Sequence, residues 1–145
     1  MRDLPGLIET YKTLHAMPEL STQEAKTSAF VAGRLRELGY EVTYPFGQYT
    51  DPAATCYGVV AVMRNGTGPT VLMRADMDGL PLQERSGLAN ASTVRQVDTA
   101  GVEQPVMHAC GHDGHTAILL GVAEALVVAG SCGGWGMRRS PRRWP

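Results

Sequence analysis

A chain of 145 residues has room for one modest domain, burying about two thirds of the surface its unfolded form exposes. With 43% hydrophobic and 19% charged residues it has an ordinary globular composition, and a net charge of -1 gives no electrostatic case for nucleic acid or an anionic membrane surface. No apolar run reaches the ~20 residues of a membrane span, and the N-terminal stretch has early acids and no apolar signal-peptide segment, so a cytoplasmic location is expected.

Leu7, Ile8, Tyr11 and Leu14 fall at helical spacing and predict a first helix over residues 4–17, stopped by Pro18. Ser21-Thr22-Gln23-Glu24 has the form of a capping box, in which serine and glutamate satisfy each other's backbone N–H groups. It predicts a second helix with Phe30, Val31, Leu35 and Leu38 as its apolar stripe and Gly39 as its stop. Residues 40–45 read as a short strand and 46–58 as a polar loop. VVAVM (59–63) and TVLMR (70–74) read as two strands flanking Asn65-Gly66, a hairpin signal. The nearly continuous apolar character of the second suits a strand covered on both faces. Residues 80–104 show no period and are expected to wind over the surface. A third helix is predicted over 114–128, with Ile118, Leu119, Val122 and Leu126 facing inward. This order is that of the opening of an α/β domain.

Residues 130–145, GSCGGWGMRRSPRRWP, differ in kind: four arginines, four glycines and no acid. Without those arginines the remaining charge is -5. The segment reads as a disordered Gly/Arg-rich tail, either a basic interaction element or peptide never selected to fold, as a shifted reading frame would produce.

The chemistry concentrates in HACGHDGH, residues 108–115. Three cysteines, Cys56, Cys110 and Cys132, make a poor disulfide framework, so a thiol beside histidines reads as a metal ligand or nucleophile. Cys110 and His112 can face one metal pair if the backbone turns sharply, and Gly111 permits that turn. A thiolate with an imidazole favours zinc or a similar divalent ion, but two ligands are fewer than the about four a site needs. Upstream, Asp76 follows directly on the apolar run in RADMDGLP, where ligand sites of open α/β sheets lie. It can bind metal or orient a ligand imidazole, while Asp78 divides between capping a turn and supporting the ligands. His15 at the end of the first helix and Glu19 ahead of Ser21 both read as structural, Glu19 with a solvated side chain.

LHAMPELSTQEAKTSAFVAGRLRELGYEV, TVLMRADMDGLPLQE and VMHACGHDGHTAILLGVAEAL, taken together, resemble one family. It is the aminoacylase and carboxypeptidase-like metallopeptidase family, in the branch of hippurate hydrolase, N-acyl-amino-acid amidohydrolases and plant auxin–amino-acid conjugate hydrolases. The resemblance runs over residues 4–128 and implies part of a two-metal α/β catalytic domain, without the inserted lid domain through which family members form homodimers. It implies that Cys110 and His112 are metal ligands, the cysteine a bridge, that Asp76 acts near the metals, and that His115 supports the ligands. Arg74 stands where related branches have a metal-binding histidine.

The implied reaction is metal-assisted hydrolysis of the amide bond of an N-acyl amino acid or small peptide. Two divalent ions (zinc, manganese, cobalt or nickel) would activate water, with a glutamate as general base. That glutamate belongs to a Glu-Glu pair downstream of the cysteine in the family, and the only acid after His115 here is Glu124. The 145 residues are therefore expected to be inactive alone. The alternative is a non-catalytic fragment or binding stump with a basic tail. No nucleic-acid or membrane partner is expected.

Overall fold

The computed structural model describes residues 4–51 and 54–131 as three helices and two antiparallel hairpins, so the predicted tail lies outside the described residues except Gly130 and Ser131. Helix α1 (Leu4–His15) ends ahead of Pro18, as predicted. Pro5 sits in its first turn, where a missing N–H costs nothing.

Helix α2 (Ala25–Glu37) is not entered through a capping box. Ser21 is exposed, and the Glu24 carboxylate accepts the Thr22 N–H at 3.0 Å rather than closing on the helix. The free N–H groups of the first turn go to Glu19 instead. Its carboxylate accepts from Lys26 N at 3.1 Å, from Thr27 N at 2.7 Å and from the Thr27 hydroxyl at 2.9 Å. Glu19 is buried, not solvated. A carboxylate here meets the positive end of the helix dipole and replaces the expected serine cap. At the other end, Gly39 adopts a φ of +86° and stops α2 as its position predicts.

Strands β1 (Glu41–Phe46) and β2 (Gly58–Val62) pair antiparallel, with Val42 opposite Ala61 and Thr43 opposite Val60. Alternation sends Val42, Val59 and Ala61 onto the helices and leaves Val60 and Val62 exposed. The register shifts between Thr43 and Phe46, around Pro45, which has no N–H to give the ladder.

The hairpin predicted at Asn65-Gly66 does not form. Residues 70–74 enter no ladder among the described residues, and Val71 and Leu72 are 82% and 85% exposed. A strand of that composition needs neighbours at its edges and cover on its faces. The hairpin that forms joins β1 to β2, and no described strand lies beside the run. Residues 80–104, expected to wind over the surface, carry β3 (Arg95–Val97) and most of β4 (Glu103–Pro105), which pair as a second hairpin. Its turn is made by Asp98, whose carboxylate accepts the N–H groups of Ala100 and Val102, both at 2.9 Å. Strands of 3 residues are too short to show a period.

Helix α3 (His112–Ser131) starts earlier and runs longer than predicted, and its buried face is shifted. Asp113, Thr116, Ala117, Leu120 and Ala123 are buried, whereas Ile118 is 64% and Leu126 47% exposed, with Leu119 and Val122 half-buried. Small side chains let the other helices approach: a Cβ on Gly121 would come within 2.7 Å of Leu7 in α1. Val31, Leu35, Leu120 and Ala123 form the core, with Tyr40, Val42, Val59 and Met77 against it. By length and composition α3 is long and apolar enough to cross a membrane, which corrects the count of apolar runs. Its buried Asp113 and Thr116, and the Tyr40 hydroxyl bonded to the Ala123 carbonyl at 3.0 Å, tie one face of it to the rest of the fold.

Gly79 knits the three motif-bearing stretches together. Its N–H donates to the Glu19 carbonyl at 2.6 Å, and next to it Leu80 and Met107 exchange backbone bonds of 2.8 and 3.0 Å. A Cβ on Gly79 would sit 3.0 Å from Pro18 Cβ, 3.0 Å from Val106 Cγ1 and 3.3 Å from the Glu19 carbonyl. Gly79→Ala is therefore expected to cost about 1–3 kcal/mol, the scale of overpacking a filled site. An unchanged melting temperature in that variant would show that the crossing relaxes freely.

Candidate metal centre

The HACGHDGH stretch carries the chain into α3. Gly111 holds a φ of +77°, a turn glycine makes without strain. It leaves Cys110 as a free, exposed thiol and makes His112 the first residue of the helix. Asp78 sets the direction of the His112 ring. The imidazole Nδ1 lies 2.9 Å from Asp78 Oδ1 and 3.0 Å from the Asp78 carbonyl oxygen. Both are acceptors, so Nδ1 carries a proton and donates, and when the ring is deprotonated at the other nitrogen its lone pair is on Nε2. An imidazole held in this way offers Nε2 to a cation. His115 is exposed, its ring centroid 5.7 Å from that of His112.

Asp76, expected to be the functional aspartate, stands differently. Its carboxylate pairs with the exposed guanidinium of Arg74, and its backbone carbonyl accepts the Thr116 hydroxyl at 3.0 Å. Asp78 is the aspartate that meets the imidazole.

A buried bridge adjoins this turn. His15 Nδ1 lies 2.6 Å from Asp113 Oδ2, and His15 Nε2 lies 3.1 Å from Glu84 Oε1. Glu84 also accepts from the Ser86 hydroxyl and from the Ser92 N–H, while the Ser92 hydroxyl donates to the Val106 carbonyl at 2.7 Å. Both ring nitrogens of His15 face carboxylates, so the ring is an imidazolium with both N–H groups donating. Burial opposes that charge, but the bonds to Asp113 and Glu84 outweigh it and raise the His15 pKa. Burial likewise pushes Glu84 up, yet its bonds to Ser86, Ser92 and His15 bring it below the ordinary value. His108 is also buried, with neither ring nitrogen bonded among the described residues, and burial lowers its pKa despite the nearby Asp113 charge.

The sequence held one overlooked signal for this bridge. His15 follows Tyr11 by one helical turn on the inward stripe, and the two rings lie 5.5 Å apart. Glu84 lies in a stretch without periodicity and carries no such mark.

In kind, an exposed thiol and an imidazole with Nε2 available match a borderline-soft divalent ion. In number they fall short. Among the described residues no group of three or more His, Cys, Asp and Glu side chains is placed to hold an ion.

The sequence profile of Peptidase family M20/M25/M40 matches residues 72–133. An N-acyl-L-amino acid amidohydrolase of Geobacillus stearothermophilus is 44% identical over 112 residues, covering 77% of this chain and 26% of that protein. An N-acetyl-L-cysteine deacetylase of Bacillus subtilis is 40% identical over 121 residues, covering 83% of this chain and 25% of that protein. A crystal structure of a Bacillus subtilis protein, described as a dinuclear metal-binding peptidase of the M20 family, superposes with a TM-score of 0.68. It shares 36% identity and covers 86% of this chain and 31% of that one. The chain belongs to the M20 peptidase family. Its mixed α/β fold matches part of the M20 structures, and it spans about a quarter of the length of the curated M20 relatives.

Proposed function

We propose that this chain carries the cysteine–histidine portion of a two-metal centre in an M20 hydrolase that cleaves the amide bond of N-acyl amino acids. The observation that carries the reading is the His112 ring, held by Asp78 at Nδ1, two residues after the free, exposed thiol of Cys110. Similarity to an N-acyl-L-amino acid amidohydrolase supports the substrate class, and a dinuclear structural neighbour supports two ions. Cys110 and His112 Nε2 would hold an ion, zinc by preference for the thiolate, with manganese, cobalt or nickel as alternatives. Such ions, when bound, polarise the scissile carbonyl and lower the pKa of coordinated water. Asp78 keeps His112 in the ligating tautomer, Arg74 directs the Asp76 carboxylate, and His115 flanks the His112 ring. The general base is a glutamate that resemblance places outside these residues, so the 145-residue chain is expected to bind metal without turning over substrate.

Titrating the chain with Co²⁺ tests this. A thiolate-to-cobalt charge-transfer band is expected in the wild type and is lost in Cys110→Ser, with the affinity reduced in His112→Ala. Absence of the band from folded wild-type protein refutes the ligand assignment. Release of benzoate from hippurate by the chain alone refutes the expected inactivity.

A further inference from the structure

We propose that His15 is a positioning residue for the metal-ligating turn: by bridging Glu84 and Asp113 it locks the first turn of α3, and with it the directions of Cys110 and His112. The inference rests on the ligand assignment above.

Among the described residues, three side-chain hydrogen bonds tie the start of α3 to other segments. His112 is bonded to Asp78, Thr116 to the Asp76 carbonyl, and Asp113 to His15. The first two lead to the same short segment, RADMDGLP. Only the third leads elsewhere, to the last residue of α1, across a sequence separation of 98. Leu120, Gly121 and Ala123 pack α3 against α1 and α2 further along the helix, and at its start the bond to His15 adds a fixed point on a second segment. Asp113 is fixed at both oxygens, since Oδ1 accepts the Gly114 N–H at 2.8 Å while Oδ2 takes His15. His15 is fixed in turn by Glu84, 69 positions away, which Ser92 anchors to the Val106 carbonyl just ahead of the ligand turn.

A buried charged bridge is a weak source of net stability, because desolvating its members offsets most of their attraction. What it supplies well is one geometry, since each partner is costly to leave unpaired. Partners bonded directly to metal ligands typically alter metal affinity about 10–100-fold, and His15 acts one bond further out, through Asp113.

The test compares His15→Ala, His15→Asn and Glu84→Gln in the full chain, with Cys110→Ser as the reference for the ligand assignment. Co²⁺ affinity is expected to fall about tenfold or more in His15→Ala. His15→Asn keeps a donor near the Nδ1 position and is expected to recover much of that loss. Two-dimensional ¹H–¹⁵N spectra of the metal-free chain give a second readout. The Nδ1–H tautomer of His112 is expected in the wild type and His15→Asn, and a mixture of tautomers in His15→Ala. If His15→Ala does not fold, His15→Asn and Glu84→Gln decide, with intermediate affinities expected. Wild-type affinity and an unaltered His112 tautomer in the folded His15 or Glu84 variants overturn the positioning role. A cobalt band that survives Cys110→Ser overturns the ligand assignment, and the positioning role with it.

Discussion

Replacing Asp113 by alanine is expected to destabilise the fold by about 3–5 kcal/mol, the scale for removing one partner of a buried charged pair. Asp113 and His15 are both buried, and their contact is 2.6 Å. Alanine leaves the imidazolium with Glu84 alone and the Gly114 N–H without its carboxylate partner. Asp113→Asn keeps an acceptor of nearly the same shape and is expected to lose less. Urea unfolding at pH 6 reads both variants, and an Asp113→Ala midpoint equal to that of the wild type would rule out the bridge as a stabilising element.

The pH dependence has a definite sign. His15 is raised above its ordinary 6.5, so its contribution is complete below that value and fades as pH rises through the folded pKa. Glu84 is lowered below its ordinary 4.5, so its contribution is complete above that value and fades as pH falls through the folded pKa. The bridge is therefore expected to be strongest in mild acid, between those two values. His108 acts oppositely: its lowered pKa costs stability as pH falls below 6.5, because the unfolded chain takes up the proton first. Wild-type stability measured across pH 4–9 is expected to show the bridge as an alkaline decline that Asp113→Ala makes shallower.

The second large effect is expected at Glu19. Its carboxylate takes two backbone N–H groups of the first turn of α2 and the buried Thr27 hydroxyl. Hydrogen bonds to a charged group are worth about 1.5–3 kcal/mol each and are not additive, so Glu19→Ala is expected to cost about 2–4 kcal/mol in total. Glu19→Gln retains one acceptor oxygen and should recover part of this. Hydrogen exchange localises the effect: the Lys26 and Thr27 amides are expected to lose protection before the middle of α2. Unchanged protection in Glu19→Ala would mean that water caps the helix equally well. Ser21→Ala, by contrast, should be nearly silent, since Ser21 is exposed and does not cap α2.

These two residues mark where sequence reading reached its limit. The helices were legible because their periods repeat over several turns, and Gly39 and Gly111 were legible because a left-handed turn favours glycine. The capping box failed because its pattern tests only local partners, and a carboxylate from outside the box reached the N–H groups first. The stripe assigned to α3 failed for a related reason. The largest apolar residues were assumed to point inward, whereas neighbouring helices pack most closely where the side chains are small. Asp78 was divided between capping a turn and supporting the ligands, and the choice needed the tertiary structure, because distance along the chain says nothing about which carboxylate meets an imidazole 34 positions away.

By itself the sequence determined the three helices, the β1 and β2 strands, the family and the short list of side chains able to ligate metal. All of these follow from local spacing or from motifs whose residues are near neighbours in the chain. Tertiary structure decided the rest: that Asp78 orients His112, that Glu19 caps α2, that residues 70–74 enter no described ladder, and that His15 joins Glu84 to Asp113. Each of those outcomes is a contest among polar or apolar groups distant in sequence. Such contests are settled by which backbone segments cross, because a buried hydrogen bond or a sheet edge is satisfied only by a group that packing brings within reach.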